Sequence, residues 1–206
     1  MSSQLLIISA VKFEADPVLS LLDNNHISYD FYEFGIGPIN AAKSSVKLKE
    51  SAAGKNTLYL GSAGSFASFS EPYLCRINQV YWLPTGERIG QAKYMEGLHE
   101  PLMIKGSGHF ELPEKKALTS TSVSLNADIK VEALPQKQQL VENMEAYAIV
   151  SELIEVVNSL DIIWGITNEV GPHGSEQWSE NFKQVAQLTA NFLEPQLGIL
   201  RKLSMI

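Results

Sequence analysis

The segment Asn56-Thr57-Leu58-Tyr59-Leu60-Gly61-Ser62-Ala63-Gly64 says most about the fold, because it joins an apolar run of strand length to a glycine-rich turn. Earlier in the chain, residues 5–9 form a second apolar run, and residues 13–22 after it have helical spacing. A further strand is predicted at residues 29–34, and a helix follows at residues 39–50. This alternation of strand, turn and helix predicts an α/β protein whose crossover helices cover a sheet.

The second half of the chain returns to this pattern after an irregular middle. Short alternating segments broken by proline and glycine predict strands and loops over residues 73–130. The spacing of apolar residues then predicts a helix at residues 143–157, a buried strand at residues 161–166 and a long terminal helix at residues 179–200. No linker, repeat or low-complexity tract divides the sequence, so we expect residues 1–206 to form a single domain.

The composition argues against several classes of function. The chain has 206 residues, a formal charge of −7 and an isoelectric point near 5.1, so it lacks the basic surface typical of nucleic-acid binding. It contains no apolar run long enough for a membrane span and no signal-peptide pattern, so we expect a cytoplasmic protein. The single cysteine, Cys75, lies in a predicted strand and is expected to pack in the core. No two histidines have the helical spacing of a metal site, and we expect neither a metal nor a cofactor.

Four places lie where a predicted strand meets a loop or a loop meets a helix: residues 10–14, 61–64, 143–145 and 167–171. The carboxyl ends of strands in such sheets form the usual ligand crevice. Each place also has a purely structural explanation. Glycines are needed in any tight turn, and acidic side chains are favoured at helix starts or on solvated helix faces.

Taken together, the motifs at these places resemble a known superfamily. Gly35-Ile36-Gly37-Pro38-Ile39-Asn40-Ala41-Ala42 resembles the Gly-Ile-Gly-x-x-Asn-Ala-Ala signature of purine nucleosidases, and Gly61-Ser62-Ala63-Gly64 resembles their Gly-Ser/Thr-Ala-Gly turn. Val141-Glu142-Asn143-Met144-Glu145-Ala146 resembles their Met-Glu helix start. The chain is thus similar to the nucleoside phosphorylase/nucleosidase superfamily over residues 5–195. This resemblance implies a three-layer α/β/α fold with a mixed, partly closed central sheet.

Within that superfamily, the chain resembles the futalosine hydrolases of the alternative menaquinone pathway most. Their last motif, Ser-Asn-x-Val-Gly-x-Arg-Asp followed by Trp, is matched by Thr167-Asn168-Glu169-Val170-Gly171-Pro172-His173-Gly174, with Trp178 after it. The Arg-Asp pair is replaced by His173-Gly174. Because that pair is charged and adjoins the expected ligand, the replacement bears on the exact substrate and on activity.

The resemblance implies roles for individual residues. Cleavage of a bond between ribose and a purine develops positive charge on the sugar and negative charge on the base. The resemblance assigns the ribose 2′ and 3′ hydroxyls to Glu145, with Met144 beside the sugar, and assigns the attacking water to Glu14. It places Ser62 in the turn that binds the nucleophile. It also implies substrate-binding positions at Ala63, Gly64, Val123, Ser124, Asn143 and Trp178; the alternative for Trp178 is a cap on the last helix.

Position 168 bears on the base that is recognised. Methylthioadenosine nucleosidases carry an aspartate where Asn168 aligns, and that acid protonates N7 of adenine. An amide cannot act as this acid, but it can donate hydrogen bonds to O6 and N7 of a 6-oxopurine. The alternative is an asparagine that binds its own backbone in a turn.

Phosphorylases of this superfamily bind phosphate with arginines beside the glycine-rich turns, and neither turn of this chain has an arginine beside it, which favours water as the nucleophile. Lys12 is the one basic residue that could still bind phosphate. We therefore expect a hydrolase that cleaves a futalosine-like 6-oxopurine nucleoside. The alternatives are a methylthioadenosine/S-adenosylhomocysteine nucleosidase, a purine nucleoside phosphorylase, and a member that binds a nucleoside without catalysis. The resemblance also implies a homodimer, and the apolar segment at residues 59–69 predicts an exposed hydrophobic surface for it.

Overall fold

The computed structural model of the chain describes residues 4–93, 100–132 and 134–205. The strands within this part of the chain are β1 (Leu5–Ser9), β2 (Asp30–Glu33), β3 (Asn56–Ser65), β4 (Tyr73–Trp82), β5 (Leu102–Met103), β6 (Glu114–Thr119), β7 (Leu140–Asn143) and β8 (Ser159–Glu169). The α-helices are α1 (Lys12–Asn24), α2 (Pro38–Ala52), α3 (Thr85–Arg88), α4 (Ala146–Leu153), α5 (Gly174–Leu193) and α6 (Leu197–Leu203). Short 3-10 turns at Lys137–Gln139 and Glu194–Gln196 precede β7 and α6.

A single mixed sheet organises these elements, and part of it closes on itself. Strand β3 pairs with β8, β8 with β4, β4 with β6, β6 with β7, and β7 returns to the end of β3. Strands β1 and β2 extend the sheet from the first half of β3, where every pairing is parallel. The mixed, partly closed central sheet that the resemblance implies is confirmed.

Helices cover the sheet on two sides, so the three-layer α/β/α architecture is also confirmed. On one side α1, α5 and α6 pack on the apolar residues of β1 and β3, with Leu19, Leu22, Leu193 and Leu200 in the cluster. On the other side α2 and α4 pack on a larger cluster that includes the side chains of Tyr59 and Trp164. Cys75 is buried in β4, as predicted. Among the described residues, no helix is long and apolar enough to cross a membrane.

The predicted glycine-rich turn at residues 61–64 is wrong, because β3 continues through it to Ser65. Gly61 and Ser62 pair with Trp164 and Gly165 of β8, and the register shifts only between Ala63 and Gly64. The glycines provide space rather than a turn. A Cβ atom on Gly64 would lie 2.7 Å from the Asn168 side-chain nitrogen.

Three other expectations need correction. The helix predicted at residues 143–157 begins only at Ala146, because residues 140–143 form the short strand β7. The helix predicted at residues 179–200 begins earlier, at Gly174, and is interrupted at residues 194–196 by a 3-10 turn that contains a proline. Residues 59–69 do not form an exposed apolar surface, since Tyr59, Leu60 and Phe66 are buried.

Candidate functional site

The four junctions predicted from the sequence meet around one cavity of about 380 Å³. The ends of β1, β3, β7 and β8 form its floor, and the first turns of α5 form one wall. Nineteen of the described residues line it. Those to which the sequence assigned a role are Glu14, Ser62, Ala63, Gly64, Val123, Asn143, Met144, Glu145, Asn168 and Trp178, and Gly61 and Gly174 belong to the quoted motifs. The cavity is therefore the place where the predicted chemistry has to be judged.

Glu145 lies at the start of α4, and its carboxylate is buried against backbone amides. The Gly37 amide donates to its Oε1 at 2.7 Å, and the Met144 amide donates to its Oε2 at 3.2 Å. Gly37 reaches this position with a φ of 86°, a conformation that favours glycine. The Asn143 side-chain oxygen accepts hydrogen bonds from the amides of Glu145 and Ala146 and so fixes the backbone just before and at the first residue of α4. Burial raises the pKa of Glu145, and the amide hydrogen bonds oppose that rise.

Glu14 faces the same cavity from the first turn of α1. The Ser62 hydroxyl donates to its Oε1 at 2.5 Å, and the Trp178 indole donates to the Ser62 oxygen at 3.0 Å. Burial raises the pKa of Glu14 to about 7, the Ser62 hydrogen bond lowers it, and the charge of Glu145 raises it. A carboxyl group with this pKa exchanges a proton near neutral pH, as a general base must.

Trp178 lines the cavity and does not cap the last helix, because α5 begins four residues before it. Its ring stacks on Phe182 with centroids 5.1 Å apart and packs against Phe13. These contacts fix the indole so that its nitrogen meets Ser62.

Asn168 is buried at the end of β8, and hydrogen bonds determine the orientation of its amide. Its oxygen accepts from the Thr167 hydroxyl at 2.8 Å, and its nitrogen donates to the carbonyl of Glu169 at 3.0 Å. One N–H is left for the cavity, so donation to both O6 and N7 of a purine, as the sequence suggested, does not fit this orientation. Gly174 makes room for the amide, since a Cβ atom there would lie 3.1 Å from the nitrogen. His173 itself is exposed and contacts Glu176.

One predicted site residue does not line the cavity. Ser124 is buried behind it, where its amide donates to Glu142 Oε2 at 3.1 Å and its hydroxyl donates to Oε1. Ser120 donates to the same carboxylate at 3.0 Å. Glu142 therefore holds both ends of the segment that carries Val123 at the cavity rim.

Sequence reasoning missed several cavity residues. Tyr59 and Gly61 lie two residues apart in β3, so the period of two in a strand could have indicated Tyr59. Ser175 and Ser179 flank Trp178 on one face of α5, but the late predicted start of that helix hid them. The other lining residues lie in stretches that the sequence singled out but were assigned no role; they are Ala10, Val11, Ile36 and Glu142.

The described residues that line the cavity include no lysine, arginine or histidine. The side chain of Lys12 is exposed and lies 3.8 Å from Asp16. Arg88 is buried elsewhere and donates to the backbone carbonyls of Asn126 and Asp128. No group of acidic, histidine or cysteine side chains within the described residues could hold a metal ion.

Comparisons with known proteins define the fold. No family model and no curated protein matches the chain by sequence. Among solved structures, a mutant of the Helicobacter pylori nucleosidase MTAN with 5′-methylthioadenosine in the active site matches with a TM-score of 0.71 at 13% identity, over 97% of this chain and 100% of that one. Futalosine hydrolase from H. pylori matches with a TM-score of 0.72 at 12% identity, over 95% of this chain and 97% of that one.

An Asp→Asn mutant of MTAN from Chlamydia trachomatis bound to MTA is also similar, with a TM-score of 0.69 at 17% identity, over 95% of this chain and 98% of that one. The chain thus has the fold of these nucleosidases. At such low identity the likeness shows the fold alone.

Proposed function

We propose that the chain is a nucleosidase, an enzyme that hydrolyses the N-glycosidic bond of a purine-type nucleoside. The observation that carries this proposal is the pair of buried carboxylates, Glu14 and Glu145, which line one cavity with distinct hydrogen-bond partners. Buried carboxyl groups with raised pKa values are costly to maintain, and such groups cluster at functional sites. The fold shared with nucleosidases supports the same assignment.

Glu145 binds the ribose in this proposal. Each of its oxygens accepts one backbone amide and keeps a lone pair that can accept a ribose hydroxyl. The negative charge also stabilises the positive charge that develops on the sugar in the transition state. The packing at the start of α4 holds the carboxylate in place before substrate binds, so little reorganisation is needed.

Glu14 activates the water. Its hydrogen bond from Ser62, which Trp178 orients, keeps the carboxylate in one position at the cavity wall. As the C1′–N9 bond breaks, its electron pair moves onto the base, the water oxygen bonds to C1′, and Glu14 accepts the water proton. A pKa of about 7 suits a group that accepts and returns a proton at neutral pH.

Water is the nucleophile that this cavity favours over phosphate. A phosphate dianion beside two carboxylates needs positive charge, and the described lining residues offer none. Backbone amides at the start of a helix can also bind phosphate without any arginine. The assay described below therefore has to distinguish hydrolysis from phosphorolysis.

Asn168 supports a futalosine-like 6-oxopurine as the base. Its free N–H can donate to O6 of a 6-oxopurine, whereas adenine presents an amino donor at position 6. An unpaired donor in a buried pocket costs about 1–3 kcal/mol, which is roughly ten- to a hundredfold in specificity constant. Methylthioadenosine/S-adenosylhomocysteine nucleosidase activity is the alternative.

The experiment for the reaction is an assay of free purine from inosine-type and adenosine-type nucleosides, with and without phosphate. We expect release in phosphate-free buffer, with ribose as the second product. Release that requires phosphate, with ribose 1-phosphate formed, would indicate a phosphorylase. Binding of the nucleoside with no release under either condition would indicate a protein that binds nucleosides without cleaving them, for which His173-Gly174 is the sequence signal.

The experiment for the base compares specificity constants for the two nucleoside types in the wild type and in Asn168→Asp. We expect the wild type to prefer the 6-oxopurine, and we expect the variant to lose that preference because a carboxylate must carry a proton to donate. Equal wild-type constants would remove this role from Asn168.

We also propose a homodimer, although not through residues 59–69. The exposed apolar side chains of Ile36, Ile39 and Val46 lie at the start of α2 and along its exposed face, with Ile39 70% and Val46 63% exposed. An apolar face of this kind is typical of a protein contact. Light scattering at micromolar concentration tests it, and a monomer mass would contradict it. The cytoplasmic location and the single domain stay predictions.

A further inference from the structure

Glu142 in β7 is a buried carboxylate that the proposed mechanism does not use. It is 8% exposed and belongs to the cavity lining. The hydroxyls of Ser120 and Ser124 donate to its Oε1, and the Ser124 amide donates to its Oε2 at 3.1 Å. A buried carboxylate is costly unless its oxygens accept hydrogen bonds. All three of these bonds come from one segment of the chain, residues 120–124.

That segment needs support from side chains, because residues 120–131 contain no helix or strand. Its backbone therefore lacks the regular hydrogen bonds that fix an element of secondary structure. The Ser120 amide donates to the carbonyl of Asn143 at 3.0 Å, which ties the start of the segment to the end of β7. The hydrogen bonds to Glu142 hold the residues that follow and so determine the position of Val123.

The segment borders the end of the cavity where the base binds in the proposed function. Glu142 of β7 pairs with Gly64 of β3, and Gly64 pairs with Asn168 of β8. Glu142 and Asn168 therefore lie in one row across the sheet, on either side of a glycine. Asn168 is the proposed contact for the base, and Val123, which is 46% exposed, lines the same cavity. An apolar side chain at this place suits the flat face of a purine.

We propose that Glu142 is a positioning residue for base recognition, which fixes residues 120–124 so that Val123 packs against the purine at the end of the cavity that Asn168 borders. The inference rests on the nucleosidase function proposed above. No bond of the substrate forms or breaks at Glu142, so the residue acts on binding and not on the chemical step. Because the apolar contact is the same in the ground state and in the transition state, its loss raises KM and leaves kcat nearly unchanged.

Glu142→Met is the first test, because methionine has a similar length and is only a weak acceptor. The variant leaves the Ser124 amide unpaired and releases the segment. We expect KM for inosine, and the Kd for free hypoxanthine measured by calorimetry, to rise about five- to tenfold, which matches the loss of the Val123 methyl contacts. Free hypoxanthine lacks the sugar, so its Kd reports on the base end alone. The value of kcat should change less than about threefold.

Glu142→Gln is the conservative variant and should restore KM and Kd to within about threefold of wild type, because an amide can keep these hydrogen bonds. Its oxygen can accept the Ser124 amide. Its nitrogen can donate to the hydroxyl of Ser120, which lies 2.8 Å from the Ser122 carbonyl and can donate to it. A glutamine variant as weak as Glu142→Met would show that the charge acts on the base directly, and would overturn the positioning role.

A double-mutant cycle tests whether Glu142 acts through Val123. Val123→Ala alone should raise the hypoxanthine Kd about as much as Glu142→Met does, and the double variant should add little to either. Additive effects would overturn the inference. If Glu142→Met does not fold, Ser124→Ala replaces it in the cycle, with an expected rise of about two- to threefold because one hydrogen bond of three is lost.

Asp161→Leu is the matched control. Asp161 is a buried carboxylate of β8 whose two oxygens accept the Ser107 amide at 3.1 Å, so it also holds a loop from a strand, but neither residue lines the cavity. This variant should lower the melting temperature and keep both KM and the hypoxanthine Kd. A similar rise in Kd in the control would show a general effect of lost stability and would contradict the inference.

Two failures remain distinguishable. An unchanged hypoxanthine Kd in folded Glu142→Met, or a wild type that does not bind hypoxanthine, would overturn the inference. A wild type that binds hypoxanthine but releases no purine from inosine would instead overturn the proposed function, and the Kd values would still decide the role of Glu142.

Discussion

Replacing Glu14 with glutamine should destroy activity and yet stabilise the fold at alkaline pH. In the folded chain the pKa of Glu14 is about 7, against an ordinary value of 4.5, chiefly because of burial. The folded state therefore holds this proton more tightly than the unfolded state does. Between these two pKa values the unfolded chain releases the proton first, so stability falls as pH rises through this window.

The size of the effect follows from the two pKa values. A difference of about 2.5 pKa units lowers the free energy of unfolding of the wild type by about 3 kcal/mol when pH is well above 7, and by about 1 kcal/mol near pH 5. Glutamine cannot ionise, and its amide oxygen can still accept the Ser62 hydroxyl. As pH rises from about 5 to about 8, the free energy of unfolding of the variant should therefore increase by about 2 kcal/mol relative to that of the wild type.

The assay is urea unfolding of wild type and Glu14→Gln at both pH values, with purine release measured on the same samples. Groups that titrate alike in both proteins cancel in the difference. The reasoning is refuted if the stability difference is the same at both pH values, or if it favours the wild type more at the higher one. Purine release at the wild-type rate by the glutamine variant would remove Glu14 from the mechanism.

Three further outcomes are expected. Glu145→Gln should lose about a hundredfold in turnover, roughly 2.7 kcal/mol, because an amide presents one acceptor and no charge. Wild-type turnover in the folded variant would contradict its ribose role. Ser62→Ala removes the hydrogen bond that lowers the pKa of Glu14, so the acid limb of the kcat/KM profile should move to higher pH. An unmoved or lowered limb would show that this bond does not act on the base. Gly64→Ala places a methyl group 2.7 Å from the Asn168 nitrogen, so the amide must move and the preference between purine types should fall. An unchanged preference in a folded variant would show that the Asn168 amide does not select the base.

The fold was predictable because its signals are local. Apolar runs such as Leu5–Ser9 and the helical spacing that follows each specify one element, and alternation of such elements restricts the architecture. The prediction erred at residues 61–64 because glycine has two uses. A turn needs its conformational freedom, whereas a strand beside bulky neighbours needs its lack of a side chain, and the sequence alone does not say which neighbours are present.

Most of the cavity residues were also predictable, because they follow strand ends, but their hydrogen bonds were not. Asn168 illustrates this limit, since its amide is oriented by Thr167 and the carbonyl of Glu169. The misplacement of Ser124 has the same cause. Its partner Glu142 is eighteen residues away, and only the pairing of β6 with β7 brings the two together.

The most direct test of the central claim is the release of free purine from an inosine-type nucleoside in phosphate-free buffer, measured side by side for wild type and Glu145→Gln. The account predicts purine and ribose from the wild type, at a rate about a hundredfold above that of the variant. Absence of purine release from the wild type, or equal release by both proteins, would contradict it.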